Sequence, residues 1–153
     1  MIEMKRIFPI LILLLVFASC AKRKAEKQAK KDDEIILKYI EDYNLSATKT
    51  SSGLYVVIEE PGTGATCNSF STVRASYSGY FTDGSVFDYS PAAGIEFDLQ
   101  SVIPGWTEGI PYFKEGGYGK LLIPSALAYG TKGTTGIPPN TVLIFDVALL
   151  EVL

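Results

Sequence analysis

The chain contains no histidine. That excludes a Ser-His-Asp or Cys-His relay and every histidine-based metal site, and with them most hydrolase chemistry. Cysteine is almost as scarce. Cys20 and Cys67 are the only two, too few and too oddly placed for a disulfide framework or a zinc site. Cys67 has no positive neighbour in sequence to lower its pKa, so it reads as an unpaired, non-catalytic thiol. Basic residues run short in the larger part of the chain. Residues 53–153 hold 4 basic and 10 acidic side chains, net −6, while residues 1–52 hold 10 basic and 7 acidic, net +3. A region at −6 has no lysine and arginine cluster for phosphates, which excludes nucleic acid as a partner. A phosphate loop is missing too: Pro61-Gly62-Thr63-Gly64 has neither the length nor the lysine, and reads as a turn. No apolar run spans a bilayer comfortably; the longest, Ile7 to Val16, is short and broken by Pro9.

What remains is a chain of 153 residues, 47% hydrophobic and 20% charged, enough for one ordinary domain with appendages. Its start reads as a targeting segment. Lys5 and Arg6 precede the apolar stretch, and Ala18-Ser19-Cys20 closes it. The closing residues look like a bacterial lipobox, with Phe17 where leucine is usual. Residues 1–19 are then a lipoprotein signal peptide, and Cys20 is the diacylated residue of the mature N-terminus. The alternatives are an ordinary secretory signal with an incidental cysteine, or an uncleaved anchor. A lipidated Cys20 implies a place in the cell envelope, anchored to a bacterial membrane and facing the periplasm or the surface.

Residues 20–31 are rich in lysine and lack an apolar face. They read as a solvated tether, with contact to anionic headgroups as the second reading. Residues 32–52 hold a short amphipathic helix and a linker. Asp32, Asp33 and Glu34 suit the helix N-terminus, and Ile35, Ile36, Tyr39, Ile40 and Tyr43 recur at helical spacing, a stripe expected to dock on the chain's own domain. Asn44-Leu45-Ser46 fits a glycosylation sequon, which is discounted in a bacterial export context.

Residues 53–153 change to strands and tight turns. Leu54 to Ile58 is β-rich. From Thr72 to Phe81, Val73, Ala75, Tyr77, Gly79 and Phe81 fall on one face. Thr82-Asp83-Gly84-Ser85 is a hairpin turn. Strands follow at Val86–Asp88, Gly94–Leu99 and Tyr118–Ile123. Val142 to Leu150 is apolar on both faces, as a central buried strand is. A short helix after Trp106 is opposed by Gly105, Gly109 and Pro111. The fold class is α+β: a curved antiparallel sheet closed over one short helix. Trp106, the only tryptophan, stands where a strand gives way to that helix. Alone it reads as a core anchor; a flat ring at such a junction also suits the floor of a pocket.

Several pieces occur in a fixed order: Tyr77-Ser78-Gly79, Asp83-Gly84, Phe87-Asp88, Phe97, Val102-Ile103-Pro104-Gly105-Trp106, Ile123-Pro124, Leu127-Ala128-Tyr129-Gly130, Ile137-Pro138-Pro139-Asn140 and Leu143-Ile144-Phe145-Asp146-Val147. Together they resemble the FKBP-type peptidyl-prolyl cis-trans isomerases, from about Leu54 to Leu153. The resemblance implies a half-barrel of five to six antiparallel strands around one short helix. It implies an isomerase acting on X–Pro bonds of exported or envelope proteins, without cofactor or metal. The catalytic wall would be Tyr77, Phe87, Asp88, Tyr129 and Phe145. Phe97, Val102, Ile103, Trp106 and Ile137 would bind substrate, with Trp106 under the prolyl ring. The Ile103 N–H and the Tyr129 hydroxyl would hold substrate carbonyls. Partners implied are proline-containing polypeptides and macrolides of the rapamycin type, and a monomer is expected.

The chain departs from that pattern at Gln100, where many members have glycine, and at Pro111, inside the expected helix. The loop Thr131–Ile137 looks about one residue short of the small eukaryotic members. Two other readings stand beside the enzyme: a non-catalytic proline-binding chaperone or adaptor on a membrane-anchored lipoprotein, and a structural domain whose aromatics are only core.

Overall fold

The computed structural model describes the backbone of residues 4–153 and the side chains of residues 22–153. The lipidation read at Cys20, and the side chains of the signal peptide read at residues 1–19, lie outside the described residues. In chain order the elements are α1 (Met4–Asp42), β1 (Thr48–Lys49), β2 (Tyr55–Glu60), β3 (Thr72–Tyr80), β4 (Val86–Tyr89), β5 (Ile95–Asp98), α2 (Pro104–Gly109), β6 (Tyr118–Ile123) and β7 (Leu143–Val152). Two 3-10 turns, Ile110–Tyr112 and Ser125–Leu127, follow α2 and β6.

All strand pairs are antiparallel, in the order β1-β2-β6-β7-β3-β4, with β5 also on β3. This is the expected curved sheet over one short helix. The strand count is seven because Thr48–Lys49, within the expected linker, pairs with Val56 and Tyr55 of β2. β7 sits centrally between β6 and β3. Its Leu143, Phe145, Val147 and Leu149 enter the inner core with Trp106, Ile110 and Phe113. Val142 before it and Ile144 within it pack on the outer side with Ile36, Tyr39, Tyr55, Val57 and Leu122. Both faces are covered at the start of β7, around Ile144, which is why its sequence does not alternate there; further on, Asp146 and Leu150 open towards solvent.

The helix α1 continues through the lysine-rich stretch. Ala, Lys, Glu and Gln are strong helix formers, and the polar run from Lys22 onward adds Lys22–Glu26 at i,i+4 spacing. The expected apolar stripe docks on the sheet's outer face: Ile36 is fully buried and Tyr39 nearly so, while Tyr43 remains exposed. Asp33 reinforces that docking by accepting from Lys49 and, at 2.7 Å, from the Tyr55 hydroxyl. α1 ends in a Schellman arrangement. Asn44 takes φ +50°, its N–H reaches the Glu41 carbonyl at 3.1 Å, and the Leu45 N–H reaches the Ile40 carbonyl at 2.9 Å. Asn44 is therefore a helix stop.

α2 forms despite its glycines because of how closely it approaches β6. A Cβ on Gly105 would lie 2.5 Å from Ile123, and one on Gly109 2.6 Å from Leu121. The two glycines, four apart, lie on the same side of the helix and set it directly on the strand. Pro111 does not distort it. α2 stops at Gly109, and Pro111 sits near the start of the 3-10 turn, where a missing N–H costs nothing.

Candidate functional site

The concave face of the sheet and the start of α2 enclose a cavity of about 520 Å³. β3 contributes Tyr77, which stands opposite Val147 of β7, with the Gly79–Phe145 pair two positions on along the same face. β4 contributes Phe87 and Asp88, with Asp88 opposite Gly79. β5 contributes Phe97. The turn into α2 contributes Ser101, Val102 and Ile103, and α2 itself Trp106. Tyr129 closes the lining from the segment after the Ser125–Leu127 turn.

Trp106 is the centre of an aromatic cluster. Tyr77, Phe97 and Phe145 stand edge-on to it, with ring centroids at 5.1, 5.0 and 5.5 Å. Phe87 meets Phe145 edge-on at 5.5 Å. Such geometry adds to burial by matching ring edges to ring faces. Trp106 is only 4% exposed, and its indole N–H has no acceptor among the described residues.

Polar groups line the same cavity. The Tyr77 hydroxyl donates to Asp88 Oδ2 at 2.7 Å, and Asp88 Oδ1 accepts the Tyr89 N–H at 2.9 Å. Burial, and then the Asp88 carboxylate, push the Tyr77 pKa well above the usual phenol value, so Tyr77 stays a donor. Ile103 is extended at the N-cap of α2, and its carbonyl accepts the N–H groups of Trp106 at 2.9 Å and Thr107 at 3.2 Å. Its own N–H has no protein acceptor among the described residues. Tyr129 is 38% exposed. The Thr107 hydroxyl, donating to the Leu99 carbonyl at 2.6 Å, fastens α2 to the end of β5.

Nine of the ten pocket residues expected from the sequence therefore lie together: Tyr77, Phe87, Asp88, Phe97, Val102, Ile103, Trp106, Tyr129 and Phe145. Ile137 does not join them. It is 7% exposed and belongs to the same buried cluster as Trp106 and Phe145, but it does not line the cavity. Ser101 lines the cavity and was not expected. The readable signal was Asp98, whose carboxylate accepts the Gln100 N–H at 2.9 Å and shapes the turn that presents Ser101. Gln100 is exposed in that turn, and Val102 and Ile103 still reach the cavity past it.

The outer face of the sheet carries a depression of similar size, about 510 Å³. Its lining mixes apolar residues such as Val147 and Ala148 with a charged pair: Lys120 reaches Asp146 at 2.6 Å, and the neighbouring Tyr80 donates to the same oxygen at 2.9 Å. Two tyrosines, Tyr77 and Tyr118, border it, but neither phenylalanine nor tryptophan does. Among the described residues no cluster of His, Cys, Asp or Glu could hold a metal ion, and no helix is long and apolar enough to cross a membrane.

The family model for FKBP-type peptidyl-prolyl cis-trans isomerases matches residues 64–150. The chain belongs to that family. FkpA of Escherichia coli K12, named as an FKBP-type peptidyl-prolyl cis-trans isomerase, is 44% identical over 138 residues, covering 88% of this chain and 51% of FkpA. A probable isomerase of the same type from Haemophilus influenzae is 42% identical, covering 90% of this chain and 58% of that protein. The chain thus spans about half the length of the curated relatives it matches. The crystal structure of E. coli FkpA aligns with a TM-score of 0.71 at 36% identity, over 99% of this chain and 73% of that one. A peptidyl-prolyl isomerase from Pseudomonas syringae aligns at 0.73 and 30% identity, over 83% and 94%. The fold of this FKBP-type domain is that of its neighbours.

Proposed function

We propose that the protein is a peptidyl-prolyl cis-trans isomerase acting on X–Pro bonds of exported or envelope proteins. One observation carries the reading: the four aromatic rings of Tyr77, Phe97, Phe145 and Trp106 gather round one cavity, bordered by Phe87, the Ile103 backbone and Tyr129.

The physical problem is the amide. Resonance raises the barrier to rotation about the peptide bond to ~18–20 kcal/mol, and only before proline are cis and trans nearly balanced. Twisting the bond removes resonance and makes the amide less dipolar. Apolar walls therefore disfavour the planar form relative to the twisted one, compared with water. The prolyl ring sits over Trp106. The unpartnered Ile103 N–H and the Tyr129 hydroxyl donate to substrate carbonyls and fix the chain on either side of the rotating bond. Asp88 acts by holding Tyr77, and no proton is transferred. The same pocket is expected to take rapamycin-type macrolides.

Lipidation at Cys20 would hold this domain, as a monomer, at the outer side of a bacterial membrane within the cell envelope. Radiolabelled palmitate on the wild-type chain, lost in Cys20→Ala, tests the anchor.

The enzyme reading is tested by isomerisation of short X–Pro peptides beside Tyr129→Phe and Phe87→Ala. Turnover that falls in both variants at unchanged melting temperature supports it. Macrolide binding without turnover would replace it with the proline-binding adaptor.

A further inference from the structure

Asp32 is a fully buried carboxylate. Its Oδ2 accepts the main-chain N–H of Ser125 at 2.9 Å and the Ser125 hydroxyl at 2.6 Å, and its Oδ1 accepts Gln28 Nε2 at 2.7 Å. None of the ion pairs among the described residues involves it. Burying a carboxyl group costs free energy unless its oxygens find donors, and here all three donors are neutral. Asp32 is not the only anchor of α1, since Ile36, Tyr39 and the Asp33 bonds to Lys49 and Tyr55 also fasten that helix to the sheet.

What Asp32 grips is the start of the segment that carries Tyr129. The Ser125 carbonyl accepts the N–H groups of Ala128 at 3.1 Å and Gly130 at 2.8 Å, the two residues flanking Tyr129. Gly130 takes φ +59°, and its carbonyl accepts the Asn140 N–H at 2.8 Å. Ser125 is thus bound from both sides: its N–H and hydroxyl to α1, its carbonyl to the turn around Tyr129. We infer that Asp32 is a positioning residue, through which α1 sets the place of Tyr129 in the prolyl cavity. This rests on the role given to Tyr129 in the proposed isomerase. It makes the N-terminal helix part of the site's geometry, so that what moves α1 also moves the cavity's rim.

The test uses the full chain. Asp32→Ala lowers kcat/KM roughly 10-fold through misplacement of a substrate-holding group, and its Gly130 amide exchanges with solvent faster by NMR. Asp32→Asn restores both: its amide oxygen replaces Oδ2 at Ser125, and its NH2 donates to Gln28 once that side-chain amide turns over. Adding Asp32→Ala to Tyr129→Phe produces no further loss, because both changes act on one hydroxyl. Ser125→Ala, which keeps the N–H bond, gives a smaller loss of the same kind, and carries the measurements if Asp32→Ala does not fold. A full Asp32→Ala loss that persists in the Tyr129→Phe background overturns the proposal. So does an unchanged Gly130 exchange rate, or an Asp32→Asn variant as poor as the alanine. Wild-type turnover in Tyr129→Phe alone overturns instead the role of Tyr129, and the Gly130 rate then reports whether Asp32 holds the turn.

Discussion

The Tyr77 hydroxyl donates to Asp88 Oδ2 at 2.7 Å, bridging β3 and β4 at the cavity wall while the Tyr77 ring stands edge-on to Trp106. The bond fixes a ring and a carboxylate together. Tyr77→Phe keeps the ring contact and removes the bond. Asp88 is exposed, so water satisfies it when the donor is gone, and the expected loss is about 1 kcal/mol in denaturant melts. Asp88→Ala frees the Tyr77 hydroxyl in the same way. The two changes combined are expected to cost no more than the larger alone. Additive losses in the double variant would show that the bond does not couple them.

The same tyrosine makes an alkaline prediction. Burial first, then the hydrogen bond to Asp88, raise the Tyr77 pKa; burial, with bonds to Tyr39 and Asp146, raises that of Tyr80. A group whose native pKa is raised binds its proton more tightly folded than unfolded. Its contribution to stability is complete below the unfolded value of about 10 and is lost as pH rises from there towards the native value. Stability should therefore fall steeply above about pH 10. In a spectrophotometric titration, Tyr77 and Tyr80 should ionise only as the fold opens. Tyr77→Phe should remove one late phenolate, and an unchanged late amplitude would contradict the assignment.

Gly79 lies between the rings that wall the cavity. A Cβ there would come within 2.7 Å of Phe87 and 2.8 Å of Phe145, so both rings would have to move. Both are predicted to contact the substrate. Gly79→Ala should therefore reduce kcat/KM by about 10-fold or more, since small misplacements at a positioned site are costly, while the melting temperature falls by only a few degrees. A variant with native turnover would mean that the two rings can retreat without consequence.

The sheet was legible because its strands alternate or, in β7, do not alternate for a reason. Val73, Ala75, Tyr77 and Gly79 turn one way, and a segment covered on both sides carries an unbroken apolar run such as Leu143–Phe145. The stripe of Ile36 and Tyr39 gave the docking of α1 equally well. Its length was not legible, because the lysine-rich stretch before Asp32 has no apolar face and helix propensity alone does not announce a helix. Asp32 suited a helix start by composition; its burial against Ser125, 93 residues on, is a long-range fact with no local signature. Gly105 and Gly109 looked like helix breakers because the strand they make room for is distant in sequence. Order along the chain brought nine cavity residues together; Ile137 packs in the same buried cluster without lining the cavity, a difference of placement that order alone does not carry.

Ile137 supplies the last test. Being 7% exposed, packed in the core cluster and not among the residues that line the cavity, it should govern stability and leave the chemistry alone. Ile137→Val removes one buried methyl group, at an expected cost of 0.5–1.5 kcal/mol, about what such a deletion usually costs. Below the melting transition, kcat and KM should match the wild type within about two-fold, because a factor of two is only a few tenths of a kcal/mol in barrier height. Val102→Ala, which truncates a half-buried residue that does line the cavity, should do the reverse: it raises KM with a smaller loss of stability. If Ile137→Val instead raises KM while stability holds, the side chain reaches the substrate, and the wall of the site extends further along the Thr131–Ile137 loop than its lining indicates.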